Sequence, residues 1–427
     1  MSWATACARC WTRAWAVPAA RHRWSQETEV GPVEWLVTEA DVDAIALGAG
    51  VLGTGGGGNP YLGRLHLLQH LRLGAAVRII PADAVDDDAL GCAVGGMGAP
   101  TVGIEKLPTK HQMVGAVRAL EAHAGRPFSF LACGEIGGAN SLQPLIAAAQ
   151  TGLPVVDGDP MGRAFPELQM DTFMIGGVSP APLSLRDAHG NTVVVTELVD
   201  AFWAERIGRA ITIAMGGSAA LGLPLLTGAQ VKQHIIRGTY TLARRLGRAV
   251  LEADRRGLHP VESLLRESGG LLLFVGKVVD VDRRTTGGFA RGSLRLEAVS
   301  HDLAGAPAAG TRQPAGESPV SRAHEGSTGG RQCEIEFQNE FLIARVDGRV
   351  VATTPDLICI VDAETARPVG TEMLRYGLRL AVIGIGAPPQ LKTPRALAVV
   401  GPRAFGYDLD FQPLAAAWPG TQPEVAG

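Results

Sequence analysis

Through the first half of the chain, stretches with apolar residues every three or four positions alternate with short continuous apolar runs. Residues 61–73 place Leu62, Leu65, Leu68 and Leu71 or Leu73 on one helical face, and residues 41–51 also read as a helix. Further helices are predicted at 109–124, 141–150 and 201–215. The apolar runs at 76–80, 90–95, 127–132, 154–157 and 192–196 are too short for helices and read as strands. From Val37 to about Ala201 this alternation predicts an α/β fold, an N-terminal domain with a mainly parallel sheet.

Beyond residue 205 the period changes. Helix is predicted through 231–256, then strands at 271–282, 293–299, 333–337, 341–346, 349–353 and 357–361, with Asp347-Gly348 as a hairpin turn. The C-terminal domain is therefore expected to be β-rich with some helix, a small barrel or sandwich. The expected organisation is a disordered leader at 1–36, an α/β catalytic domain at 37–204, a β-rich domain at 205–415 and a tail at 416–427. Residues 301–330, rich in Ala, Gly, Pro, Ser and Arg and poor in large apolar side chains, read as a disordered insertion.

One break between helices stands out. Residues 53–58 hold five glycines in six positions, followed by Asn59 and Pro60, which suit a helix start. Bare peptide groups at a helix N-terminus favour an anion or a developing oxyanion, so Gly55, Gly56, Gly57, Gly58 and Asn59 are candidate substrate-binding residues. The phosphate-loop pattern fails for want of a following Lys-Ser/Thr. A dinucleotide fingerprint fails because a helix, not a strand, precedes the glycines.

Ligands of parallel sheets bind beyond the carboxyl ends of the strands. Two such ends carry Glu135, with Asn140 nearby, and the pair Asp157 and Asp159. Carboxylates converging on one sheet edge need a cation or raised pKa values, either of which serves hydrolysis, so these three are the candidate catalytic residues and candidate ligands of a divalent metal ion. Asx turns are the bland alternative for the two aspartates. Gly96, Met97 and Gly98 form another glycine-bearing rim leading to Lys106, and Arg163 offers a bidentate grip on a carboxylate. His66 and His70, four apart, read as an ordinary helix face, and Cys133 as a thiol packed at a strand end.

Composition narrows the classes. A formal net charge of -3 gives no basic field for nucleic acid or an anionic membrane, and no apolar run reaches transmembrane length. Six cysteines with a single CxxC pair, Cys7 and Cys10, read as free thiols of a reducing compartment; a cytoplasmic protein is expected. Arg9, Arg13, Arg21 and Arg23, with no acid before Glu27, leave a mitochondrial-type transit segment as the alternative to an unstructured leader.

These same stretches, GTGGGGNPYLGR, GGMGAPTVGIEK and GEIGGANSLQPLIAAAQTGLPVVDGDPMGRAFPELQM, with FQNEFLIARVDG, TTPDLICIVD, LRYGLRLAVIGI and VGPRAFGYD further on, resemble the S-methyl thiohydantoin desulfurase family over roughly residues 37–410. The resemblance implies an α/β domain followed by a separate C-terminal domain and a thiohydantoin or hydantoin-like ring as substrate. It also implies association with hydantoinase- or oxoprolinase-type proteins, and a homo-oligomer is expected. The expected reaction is hydrolytic removal of methanethiol or sulfide. Glu135 would be the base, Asp157 or Asp159 would be the acid or a metal ligand, the glycine loop would hold the anion, and Arg163 or Lys106 would orient the ring. Ring-opening amidohydrolysis and a non-catalytic partner of a hydantoinase are the rival readings.

Overall fold

The computed structural model describes residues 34–107, 109–299 and 330–421. The arginine-rich leader with its CxxC pair, the predicted insertion up to residue 329 and the end of the tail lie outside the described residues. Residues 35 and 36, counted with the leader in the sequence reading, form the edge strand β1 (Trp35–Leu36).

The first helix, α1 (Glu39–Leu52), begins at a capping box: Thr38 accepts from the Asp41 N–H while Asp41 accepts from Thr38. After the glycine run come α2 (Tyr61–Arg72), β2 (Arg78–Ile80) and β3 (Leu90–Gly98). They are followed by α3 (Pro100–Glu105), α4 (Gln112–Ala124), β4 (Phe130–Cys133), α5 (Leu142–Thr151), β5 (Val155–Val156) and β6 (Gly158–Asp159). Then follow α6 (Thr172–Ile175), β7 (Leu183–Arg186), β8 (Thr192–Val195), α7 (Ala201–Ala214) and β9 (Ser218–Thr227).

These strands form an eight-stranded mixed sheet in the order β1-β2-β5-β4-β3-β9-β7-β8. Its parallel part, β2-β5-β4-β3, is the α/β pattern read from the sequence; β9, β7 and β8 extend it antiparallel. Strand β9 was not anticipated because Gly222 and Pro224 argue against a central strand. The register slips opposite Ala93, between the Cys92–Leu225 and Val94–Gly222 pairs, so Pro224 sits in a bulge where no ladder donor is needed. The predicted glycine loop at 95–98 is likewise strand, because β9 continues the pairing to Gly98–Ser218.

Helix α8 (Gly228–His234), strand β10 (Ile236–Arg237), helix α9 (Thr239–Leu251) and helix α10 (Pro260–Ser268) come next. Helix α9 crosses α1 at backbone contact: a Cβ at Gly48 would stand 1.8 Å from the Ala243 carbonyl oxygen, and one at Gly247 1.9 Å from that of Ala44. The Asp41 carboxylate at the start of α1 binds Arg248 of α9 at 2.8 Å.

The remaining strands are β11 (Leu271–Thr286), β12 (Phe289–Ala298), β13 (Gln332–Gln338), β14 (Glu340–Val346), β15 (Arg349–Thr353), β16 (Leu357–Asp362) and β17 (Arg379–Ile385), with α11 (Pro394–Val400) after them. They make a seven-stranded antiparallel sheet, ordered β15-β14-β13-β12-β11-β17-β16. It curls into a half-barrel, bringing β16 back beside β14 and β15 around a core that includes Leu294, Ile335, Phe341, Ile358 and Val382. The fold is thus an N-terminal α/β part followed by a β-rich part with some helix.

Candidate functional site

The glycine run leaves α1 at Gly53 and enters α2 at Pro60, with Asn59 accepting from the Tyr61 N–H at 2.9 Å. Thr54, Gly55, Gly57 and Gly58 all have positive φ, a conformation that favours glycine. The loop is clamped from the β-rich half: Thr54 O accepts from Phe341 N and Gly55 O from Thr371 N. On its other side Gly57 O and Gly58 O accept from Asn140 N and Ala139 N.

Above this loop lies a cavity of about 220 Å³. Its wall is built from the end of the glycine run, the end of β3 with the segment after it, the loop after β4, residues 165–168, β9, and Asn339-Glu340 at the start of β14. Gly57, Gly58, Asn59, Gly96, Met97, Gly98, Lys106, Glu135 and Asn140 all lie in this wall. Gly55 and Gly56 lie behind it, against Phe341 and Glu340.

Glu135 is buried there with both oxygens engaged: Asn140 Nδ2 donates to Oε1 at 2.8 Å and Phe165 N to Oε2 at 3.0 Å. Asn140 is itself fixed, since its Oδ1 accepts from Gly96 N at 2.8 Å. Burial pushes the Glu135 carboxyl up to about 8, against those two donors, which favour the charged form.

The other two predicted carboxylates are not in the wall. Asp157 accepts from Tyr240 N, Thr241 N and Thr241 Oγ1, and so caps the N-terminus of α9. Asp159 accepts from Ile136 N, Met161 N and Gly162 N and pins the two strand-end loops together, with burial raising it to about 6. Both aspartates are thus absorbed by backbone donors, the Asx role weighed against catalysis. Among the described residues no three His, Cys, Asp or Glu side chains are placed to hold a metal ion. With Asp157 and Asp159 facing N–H groups instead of the cavity, Glu135, Asp157 and Asp159 do not fit a divalent metal.

Arg163 also departs from expectation. It is 0% exposed, and its guanidinium donates to Ala164 O, Pro355 O, Asp356 O, Phe341 O and Thr54 Oγ1. It joins the glycine loop to the β-rich half and has no donor left for a substrate. Lys106 donates to Met215 O at 2.6 Å and reaches Ser218 O at 3.5 Å, which anchors β9.

Glu340 and Arg209 also lie in the wall, and neither is among the residues that the sequence singles out. Glu340 is 2% exposed and its Oε2 has no partner among the described residues; burial, then the charge of Glu135, pushes it well above the usual carboxylate range. Its signal was present in the FQNEF stretch: Asn339, at φ 58, turns the chain between β13 and β14 and throws Glu340 back toward the glycines. Arg209 of α7 binds Glu205 at 2.7 Å and Pro166 O at 3.0 Å, stacks on Phe289, and leaves Nη1 without a partner among the described residues. Nothing in its local spacing marked it. Cys133 is a buried thiol donating to Glu135 O at 3.0 Å, and burial pushes it far up. His66 and His70 have ring centroids 5.0 Å apart.

Two family descriptions match this sequence, S-Me-THD-like, N-terminal domain over residues 40–197 and S-Me-THD-like, C-terminal domain over residues 199–414. The chain belongs to the S-Me-THD-like family. The family boundary falls at the start of α7, so Glu135 comes from the first family segment, whereas β9, Arg209 and Glu340 come from the second. No curated protein matches the sequence. A crystal structure of a protein from Chromobacterium violaceum is similar in fold, with a TM-score of 0.68 at 24% identity, covering 89% of this chain and 100% of that one.

Proposed function

We propose that this family member hydrolyses the carbon–sulfur bond of an S-methyl thiohydantoin or thiohydantoin-type ring in this cavity, releasing methanethiol or sulfide and leaving a hydantoin. The observation that carries the reading is Glu135: a buried, doubly hydrogen-bonded carboxyl in the wall of a cavity sized for a small ring. Its ionised form takes a proton from water as the oxygen adds to the ring carbon that bears sulfur. A thiol is a far better leaving group than an alcohol, so expulsion asks little of the protein once the tetrahedral intermediate has formed.

The base is the ionised form, and Glu135 loses its proton near 8. Only about a tenth of the sites are ionised at neutral pH, so turnover rises with pH up to about 8. Arg209, with its unpartnered Nη1, supports an acidic side chain on the ring. The test is to incubate the purified chain with an S-methyl thiohydantoin and follow volatile thiol against ring-opened ureido acid. Thiol release with an intact ring is expected. The ureido acid alone would establish ring-opening amidohydrolysis instead, and neither product would leave the chain as a partner of another enzyme.

A further inference from the structure

We propose that Glu340 is the second catalytic carboxyl of this site, protonated at rest, and that it gives its proton to the substrate ring as Glu135 takes one from water. This rests on the hydrolytic reading above, but the placement of Glu340 stands independently. A Cβ at Gly56 would lie 1.8 Å from Glu340 Oε1, and one at Gly57 3.0 Å from Glu135 Oε1. Both carboxyls therefore press on the same bare turn, one from each half of the protein, and glycine there lets them approach it.

The charges around the turn decide which carboxyl holds a proton. Arg163 is the buried cation whose charge acts on both, and one positive charge beside two buried carboxyls supports the ionisation of only one of them. Glu135 is the one that ionises first, near 8, because the Asn140 and Phe165 N–H groups cover both its oxygens. The nearby Gly57 and Glu340 backbone N–H groups offset the burial of Glu340 only in part, and among the described residues its Oε2 has no hydrogen-bond partner. A bare ionised oxygen in that position is costly, whereas a hydroxyl there is a donor waiting for an acceptor. The acceptor is the ring nitrogen doubly bonded to the carbon that carries sulfur.

The step balances. Water oxygen bonds to that carbon, one water proton passes to Glu135, and the C=N electron pair takes the Glu340 proton. In the collapse the new hydroxyl returns its proton to Glu340, the C=O forms, the C–S bond breaks, and sulfur leaves with the proton held by Glu135. Both residues end as they began, and water has been exchanged for thiol.

Two measurements test this. An infrared difference spectrum of wild type minus Glu340→Gln near neutral pH should contain a protonated-carboxyl band; its absence overturns the proposal. In steady-state kinetics Glu340→Gln should lose at least about 100-fold in kcat with KM within about threefold, and lose the alkaline limb of the pH profile. Retention of more than about a tenth of kcat, or of that limb, overturns it. Should the Gln variant fail to fold, Glu340→Asp keeps a protonatable group and should show a reduced rate with the alkaline limb intact. Loss of that limb in the Asp variant counts against the proposal. A wild type that releases no thiol overturns the hydrolytic reading and the catalytic role with it, and the infrared band then reports only where the proton rests.

Discussion

Replacing Glu135 with Gln should change the stability of the protein in opposite directions at low and high pH. In the unfolded chain the carboxyl ionises at its ordinary value of 4.5, and in the fold at about 8. Between those values the native state holds a proton that the unfolded state has released, so wild-type stability falls as pH rises through this window. At about 1.4 kcal/mol per pH unit the loss reaches up to about 5 kcal/mol at the upper end. The Gln variant does not titrate, but its amide presents one acceptor where two donors point, Asn140 Nδ2 and Phe165 N. Asn140 cannot turn to relieve the clash without abandoning Gly96 N. One lost hydrogen bond at a buried site costs about 1–3 kcal/mol. The variant should therefore be the less stable protein near about pH 5 and the more stable one near about pH 9. Urea-unfolding midpoints followed by tryptophan fluorescence at steps across that range read the difference directly. Asp171 and Glu372, also raised by burial and not acted on by Glu135, titrate alike in both proteins and leave the comparison intact. A midpoint difference that stays constant with pH would refute the reasoning.

Other outcomes follow from the same contacts. Asp157→Asn should cost about 1–2 kcal/mol by weakening the cap of α9 while leaving thiol release within a few-fold of wild type; a well-folded but inactive variant would return Asp157 to the site. Gly48→Ala, at the α1–α9 crossing, should lower stability by about 1–3 kcal/mol, read as a fall in the urea midpoint, with unaltered KM. Arg209→Lys keeps the charge beside Glu205 but loses the planar fork, so KM for a substrate with an acidic side chain should rise about tenfold with kcat little changed; equal KM values would show that Arg209 serves α7 alone.

Much of this architecture was written in local pattern. The parallel strands and their helices were legible because each carries its own period, and Glu135 because a carboxylate at a strand end has few structural reasons to be there. Asp157 and Asp159 show the limit of that logic. Their neighbours in sequence are the same as those of catalytic residues, and only the arrival of α9 for one, and of the 136 and 161–162 amides for the other, decides that they bind backbone. Arg163 misled for a similar reason: besides the adjacent Ala164, acceptors at 54, 341, 355 and 356 converge on it from far away in sequence, and no local pattern announces that convergence. Strand β9 was hidden by its own proline, which is harmless in a bulge that no one-dimensional reading places. Glu340 was visible as part of a recognisable stretch but had no role until the glycine turn appeared beside it.

Strand β9 has a consequence for how the chain is made. The apolar edge of β3 emerges from the ribosome about 130 residues before the strand that covers it, from Leu90–Gly98 to Ser218–Thr227. Glu340 is translated later still, after the whole α/β sheet. The nascent chain must therefore carry an open, aggregation-prone sheet edge through much of its synthesis, and contacts of such long sequence separation form slowly. Cutting the gene at the family boundary would leave that edge permanently bare. Expressing the two halves separately should yield insoluble material, and mixing them during refolding is the route by which a split protein would recover its cavity.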